Sequence, residues 1–289
     1  MPTPRSTTSP ISSVVPDEFP AAPGSLRHLV WLYGGAEHQA RHAALFAIEH
    51  EIAASIGPAL DHAVAHARLG WWEEECARLA ATLPRHPRAV ELLRESRRAG
   101  LPAPDLGPLV AAARWDLARA TPETRHEHRQ RCAEWARGLF RHLGPAEAAD
   151  WLLRVGTLIE ELALLDALRE DARAGRLRVP LEDFAPRGLT VAALRAEPTP
   201  PALSDYLRTR HREARVALRR ELAALDPSAR PGLRAALVWG TLAAIRSERA
   251  ERALSSRPGA GRFDRWFDPW RDNGSAWTAA RRALTGRAP

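Results

Sequence analysis

Apolar residues recur along this chain with a period near 3.6, and no long stretch alternates apolar and polar positions as a half-buried strand would. The pattern therefore predicts an all-α protein built as one continuous helical bundle. Ser25 can cap a short helix running through Tyr33, which Gly34–Gly35 stops. A long helix is expected from about Ala36 to Ile56, ended by Gly57–Pro58, and another from about Leu60 to Thr82, ended before Pro84. Pro87 suits the first turn of a helix reaching about Arg98, after which Gly100 to Pro104 form a loop. Further helices fit Leu106 to Ala120, Pro122 to Leu143 and Pro145 to Ala174. Residues 176–201 are punctuated by proline, with room for one short helix near Thr190 to Ala196. Ala202 to Leu225 and Arg230 to Leu254 read as amphipathic helices, and a looser segment, Arg262 to Thr285, completes the chain.

Composition narrows this picture. The 289 residues include 42 basic side chains, every one of them arginine, against 35 acidic ones. The absence of lysine excludes Schiff-base chemistry and a P-loop lysine. Positive charge gathers late: residues 205–289 carry 18 arginines and 9 acidic residues. Many of these arginines alternate with carboxylates, as in Arg246–Glu248–Arg249–Glu251–Arg252, which describes a solvated helical surface and argues against a nucleic-acid partner. Two widely spaced cysteines, Cys76 and Cys132, suit buried thiols in a reducing compartment. Residues 1–24 are rich in Pro, Ser and Thr and read as a disordered tail, leaving 25–289 as the helical domain. No window approaches the ~18 consecutive apolar residues that a membrane span needs. The expected location is cytoplasmic, with peripheral contact to the inner membrane left open.

The segment Leu164 to Pro180, LLDALREDARAGRLRVP, carries the most chemistry. It pairs Glu170 and Asp171 with Arg173, Arg176 and Arg178 just before the helix stops at Gly175. Carboxylates beside guanidinium forks can hold a magnesium-bound diphosphate, and the same residues also suit a solvated helix end whose arginines complement the dipole. The segment resembles the second acidic motif of the squalene and phytoene synthase family. Three further features follow the family's order: ALFAIEHEIAAS at Ala44 to Ser55, ARLGWWEEE at Ala67 to Glu75, and RHP at Arg85 to Pro87. The resemblance spans about residues 25–275. It implies a helical bundle of the isoprenoid (terpenoid) synthase type, an enzyme that joins two prenyl diphosphates, and magnesium as its cofactor.

Carried over residue by residue, the resemblance places the first motif's aspartates on Ala53, Ala54 and Gly57, and the second motif's on Ala163, Ala167 and Asp171. Only Asp171 can bind a cation. HEIA at His50 to Ala53 is similar to a divergent branch that lacks these aspartates and includes the mitochondrial complex I assembly factor and its bacterial relatives. Helical geometry puts Glu49 within the buried stripe Leu45, Ile48, Ile52 and Ile56, and puts Glu160 on the face of Ala163, Ala167 and Asp171. The candidate catalytic groups are Glu49, Asp166 and Asp171. Arg41, Arg173 and Arg176 are candidates for a diphosphate, and Glu49, Glu160, Glu170 and Asp171 for a metal, with magnesium expected only if the protein is active. The expected function is that of a non-catalytic or altered family relative, binding a prenyl diphosphate or another lipid-like ligand or serving in assembly. The alternative is a magnesium-dependent prenyltransferase of isoprenoid, carotenoid or hopanoid biosynthesis.

The remaining constellations read as structural. His38/His42 and His62/His66 are spaced one turn apart but lack further ligands in sequence, and His126 to His128 fit an exposed turn. Trp71, Trp72, Trp115, Trp135, Trp151 and Trp239 are expected in the core, where they could also wall a prenyl tunnel. RFDRWFDPWRD at Arg262 to Asp272 suits a membrane interface, a partner, or a staple for the last helix.

Overall fold

In a computed structural model, residues 21–57, 60–256 and 268–287 are described. Residues 1–20 of the expected tail and most of the Arg262–Asp272 segment lie outside them. Among the described residues the chain forms ten α-helices, several 3-10 turns and no strand. Helix α1 spans Leu26–Tyr33, with the Ser25 hydroxyl accepting from the His28 amide. A 3-10 turn then leads into α2, Gln39–Ala54, whose residues are buried on nearly every face. Helix α3, His62–Ala80, starts where the Asp61 carboxylate accepts from the amides of Ala63 and Val64, and α4, Pro87–Arg98, begins on its proline. Helices α5 (Gly107–Leu117), α6 (Arg125–Gly138) and α7 (Ala149–Arg173) follow, then α8 (Pro201–Ala224), α9 (Arg234–Ser256) and α10 (Pro269–Leu284).

The helix expected from Pro122 begins only at Arg125, because Thr124 caps it. The Thr124 hydroxyl accepts from the Glu127 amide at 3.2 Å, and Glu127 reaches back to the Glu123 amide at 2.7 Å. The same helix shows why His128 is not on an exposed turn: His128, Arg131, Cys132 and Ala136 form its buried stripe. Trp72, Trp151 and Trp239 are buried as expected, whereas Trp71 stands 43 % exposed on the outer side of α3.

Helix α7 lies at the centre, packed against α6, α8 and α9, and α9 packs in turn on α1, α8 and α10. Close approach of α6 and α7 depends on Gly156: a Cβ there would stand 2.6 Å from Phe140 Cβ and 2.9 Å from Ala136 Cβ. Helix α5 packs on α6 and on α2, with α3 against α5 and α4 against α2. This arrangement leaves a cavity between α1, α2, α5, α6 and α7.

Candidate functional site

Two apolar walls and a ring of charges define the cavity. Ile52, Ile56, Leu109, Ala113, Trp135 and Leu164 supply apolar surface, and the void they bound with their charged neighbours measures about 240 Å³. Ligand pockets commonly measure ~300–1,000 Å³, so this one has room for a single short chain. Ala53 and Ala163 line it, so both positions that the resemblance assigns to aspartates here present methyl groups. An outer vestibule shares Ile56 and Asp116 with it and is lined by His62, Arg119 and Arg176.

Six charged residues, in equal numbers of each sign, line the cavity: Arg27, Arg131 and Arg178 with Glu49, Asp116 and Glu160. Five of them are tied in pairs or a chain. The Arg27 guanidinium, from α1, donates to both oxygens of Glu49, through Nε at 2.8 Å and through Nη2. Arg131 donates to Asp116 at 2.6 Å, and Arg178 bridges Asp116 at 3.3 Å to Asp171, onto which it forks at 2.7 and 2.6 Å. Asp171 is only 3 % exposed, with Arg176 at 3.7 Å completing its surroundings. Arg178 thus sits where a bidentate pair satisfies one buried carboxylate and steadies a second.

Glu160 is different. It faces the cavity without a hydrogen bond to any described residue. Burial raises its carboxyl to about 7, against the pull of Arg131 and Arg178. One nitrogen of the buried Arg131 guanidinium, Nη1, likewise lacks an acceptor.

Of the residues singled out in sequence, Glu49 and Glu160 meet in the cavity, Asp171 closes its edge, and Arg176 lies in the vestibule. The structure places the others elsewhere. Arg41 points away toward α4, donating to Ser96 at 3.1 Å and to the His142 carbonyl, with burial lowering its guanidinium to about 10. Asp166 turns toward α8, where it meets His211 at 3.6 Å. Burial moves the two in opposite directions, Asp166 up to about 7 and His211 down to about 4. Arg173 pairs with Glu197 at 2.7 Å on the surface, and Glu170 is exposed. Arg27, Asp116 and Arg131 escaped the sequence reading. Arg131 alone left a signal, as a charged residue at a buried-stripe position one turn after His128.

Magnesium takes near-octahedral oxygen ligands at ~2.0–2.1 Å. Here the oxygens of Glu49, Asp116 and Asp171 already accept from guanidinium groups, which leaves Glu160 alone with its acceptors uncommitted. Among the described residues no group of three His, Cys, Asp or Glu side chains could hold a metal ion. This donor set does not fit a magnesium cluster. The histidine pairs add nothing to it: His62 and His66 touch each other at 3.1 Å on the surface, and His42 is buried against Phe46 with its imidazole lowered to about 3, mainly by burial.

The bundle has counterparts among known proteins. A dehydrosqualene synthase in complex with ligand superposes with a TM-score of 0.69 at 15 % identity, covering 88 % of this chain and 90 % of its own. Squalene synthase HpnC from Alicyclobacillus acidocaldarius gives a TM-score of 0.59 at 20 % identity, covering 78 % and 86 %. At these identities the likeness concerns the all-α isoprenoid synthase fold. No curated protein matches the sequence. The family model of squalene/phytoene synthase matches residues 27–263, which takes in every helix that forms the cavity, and the chain accordingly belongs to the squalene/phytoene synthase family.

Proposed function

We propose that this protein binds one prenyl or similarly lipid-like ligand in the central cavity without a magnesium cluster, and does not condense two prenyl diphosphates. The observation that carries the reading is the use of the carboxylates. Those of Glu49, Asp116 and Asp171 neutralise Arg27, Arg131 and Arg178, so neither sign is left in the excess that a metal cluster or a diphosphate leaving group needs. The apolar walls suit a hydrocarbon chain, and Glu160 and Arg131 Nη1 offer a hydrogen-bond donor pair for one polar end group while Glu160 holds its proton. The reading places the protein in the cytoplasm, beside the membrane from which such a ligand would be drawn.

Calorimetry with a non-hydrolysable farnesyl diphosphate analogue and with farnesol, each with and without magnesium, tests it. Binding independent of magnesium supports the reading, and binding that appears only with magnesium contradicts it. The second reading is an active transferase, favoured by three carboxylates, Glu49, Asp116 and Glu160, lining one cavity. Magnesium-dependent formation of squalene or phytoene by the purified protein would establish that alternative.

A further inference from the structure

The last helix carries a surface that the other described residues leave uncovered. Trp270, Trp277 and Leu284 recur every seven residues and so stand in one row along α10, about 21 Å long at ~1.5 Å per residue. They are 87 %, 52 % and 55 % exposed. The opposite side of the same helix, Asp272, Ala276, Ala279, Ala280 and Ala283, is buried against α9 and α1. The tryptophans are therefore not needed to staple α10 to the bundle, because alanines do that.

Charge beside the row is one-sided. Arg271, Arg281, Arg282 and Arg287 are exposed, and the Arg281 guanidinium lies over the Trp277 ring at 5.2 Å. Asp272 is consumed internally by Arg246 and Arg249 at 3.0 and 2.6 Å, which leaves Asp268, 3.4 Å from Arg271, as the one acidic neighbour within the described part of this helix. On neighbouring α9, Glu248 and Glu251 are held by α8 arginines. A groove of about 410 Å³ runs along the basic flank between α9 and α10, lined by Thr241, Arg249, Arg271, Ser275, Thr278 and Arg282.

We propose that α10 is the membrane-docking surface of this protein. It lays the Trp270–Trp277–Leu284 row into the interface of an anionic lipid bilayer and sets Arg271, Arg282 and Arg287 against the lipid phosphates. Tryptophan prefers the depth where hydrocarbon gives way to head groups, and arginine reaches from that depth to phosphate. The row stands on the convex outer side of a helix, a shape that meets a planar surface. The inference needs nothing from the cavity, so docking can fail while ligand binding holds, and the reverse.

Sedimentation of the full chain with phosphatidylcholine vesicles, with and without phosphatidylglycerol, tests it. Binding is expected to require phosphatidylglycerol, to weaken with salt, and to persist in the presence of free glycerophosphate. Trp270→Ser/Trp277→Ser should weaken it at least tenfold with an unchanged thermal midpoint, since both side chains are exposed. Arg271→Gln/Arg282→Gln should weaken it about fivefold per arginine. No vesicle binding, equal binding to neutral vesicles, or an unaffected tryptophan variant would each overturn the proposal. A concentration-dependent dimer that the tryptophan variant abolishes, without vesicle binding, would reassign the row to self-association.

Discussion

Replacing Glu160 by glutamine tests the electrostatics of the cavity directly. In the unfolded chain this carboxyl ionises near 4.5, whereas burial raises it to about 7 in the folded protein. Below pH ~4.5 both states are protonated and the group costs nothing. Between 4.5 and 7 the folded protein holds a proton that the unfolded chain has released, so stability falls as pH rises, and above 7 the full cost is present. At ~1.4 kcal/mol per tenfold change in proton affinity, a dry carboxyl would cost roughly 3 kcal/mol. Glu160 faces a cavity open to solvent, and water screening reduces this to about 1–2 kcal/mol. Glu160→Gln should therefore stabilise the protein by about 1–2 kcal/mol at pH 8, or ~2–4 °C in the thermal midpoint, and by almost nothing at pH ~4. Urea unfolding of both proteins across that range measures it. A variant less stable than the parent at pH 8 would show that Arg131 and Arg178 hold the ionised Glu160 more firmly than burial penalises it, and the reasoning would fail.

Arg178→Met should cost about 2–4 kcal/mol in urea unfolding, because it strands Asp171 in a buried position and loosens Asp116. Adding Asp171→Asn should recover a good part of that loss, which a double-mutant cycle would register. Gly156→Val forces Phe140 and Ala136 away from α7 and should lower the thermal midpoint by the equivalent of ~1–3 kcal/mol, or prevent folding. Cys76, its thiol pushed up to about 12 by burial, and Cys132, also raised by burial, should react with a thiol reagent only as fast as the chain unfolds. Rapid labelling of the folded protein would contradict their placement.

The helices were legible because their signals are local. Ser25 caps α1, Gly34 ends it and Pro87 opens α4 as read from the sequence, whereas α3 starts after Asp61 rather than at Leu60 and α2 closes at Ser55, ahead of Gly57. The 3-10 turns at Phe140–Leu143 and Leu181–Asp183 were not legible, since they are set by what packs on them. Glu49 and Glu160 could be placed inside from helical phase alone. Their surroundings could not, because Arg27 lies 22 residues from Glu49 and Asp116 lies 62 from Arg178, and no local pattern encodes such pairs. Phase also failed for Asp166 and Arg41: each lies on a helix buried on more than one side, so facing inward did not mean facing the cavity.

The account rests on guanidinium groups occupying the oxygens that divalent ions would otherwise take. Counting manganese bound per chain by electron paramagnetic resonance, with a farnesyl thiodiphosphate present, addresses this most directly. The account predicts no stoichiometric manganese, with free-ion signal throughout the titration. Two or more ions per chain, lost in a Glu49→Gln/Glu160→Gln variant that still folds, would contradict it.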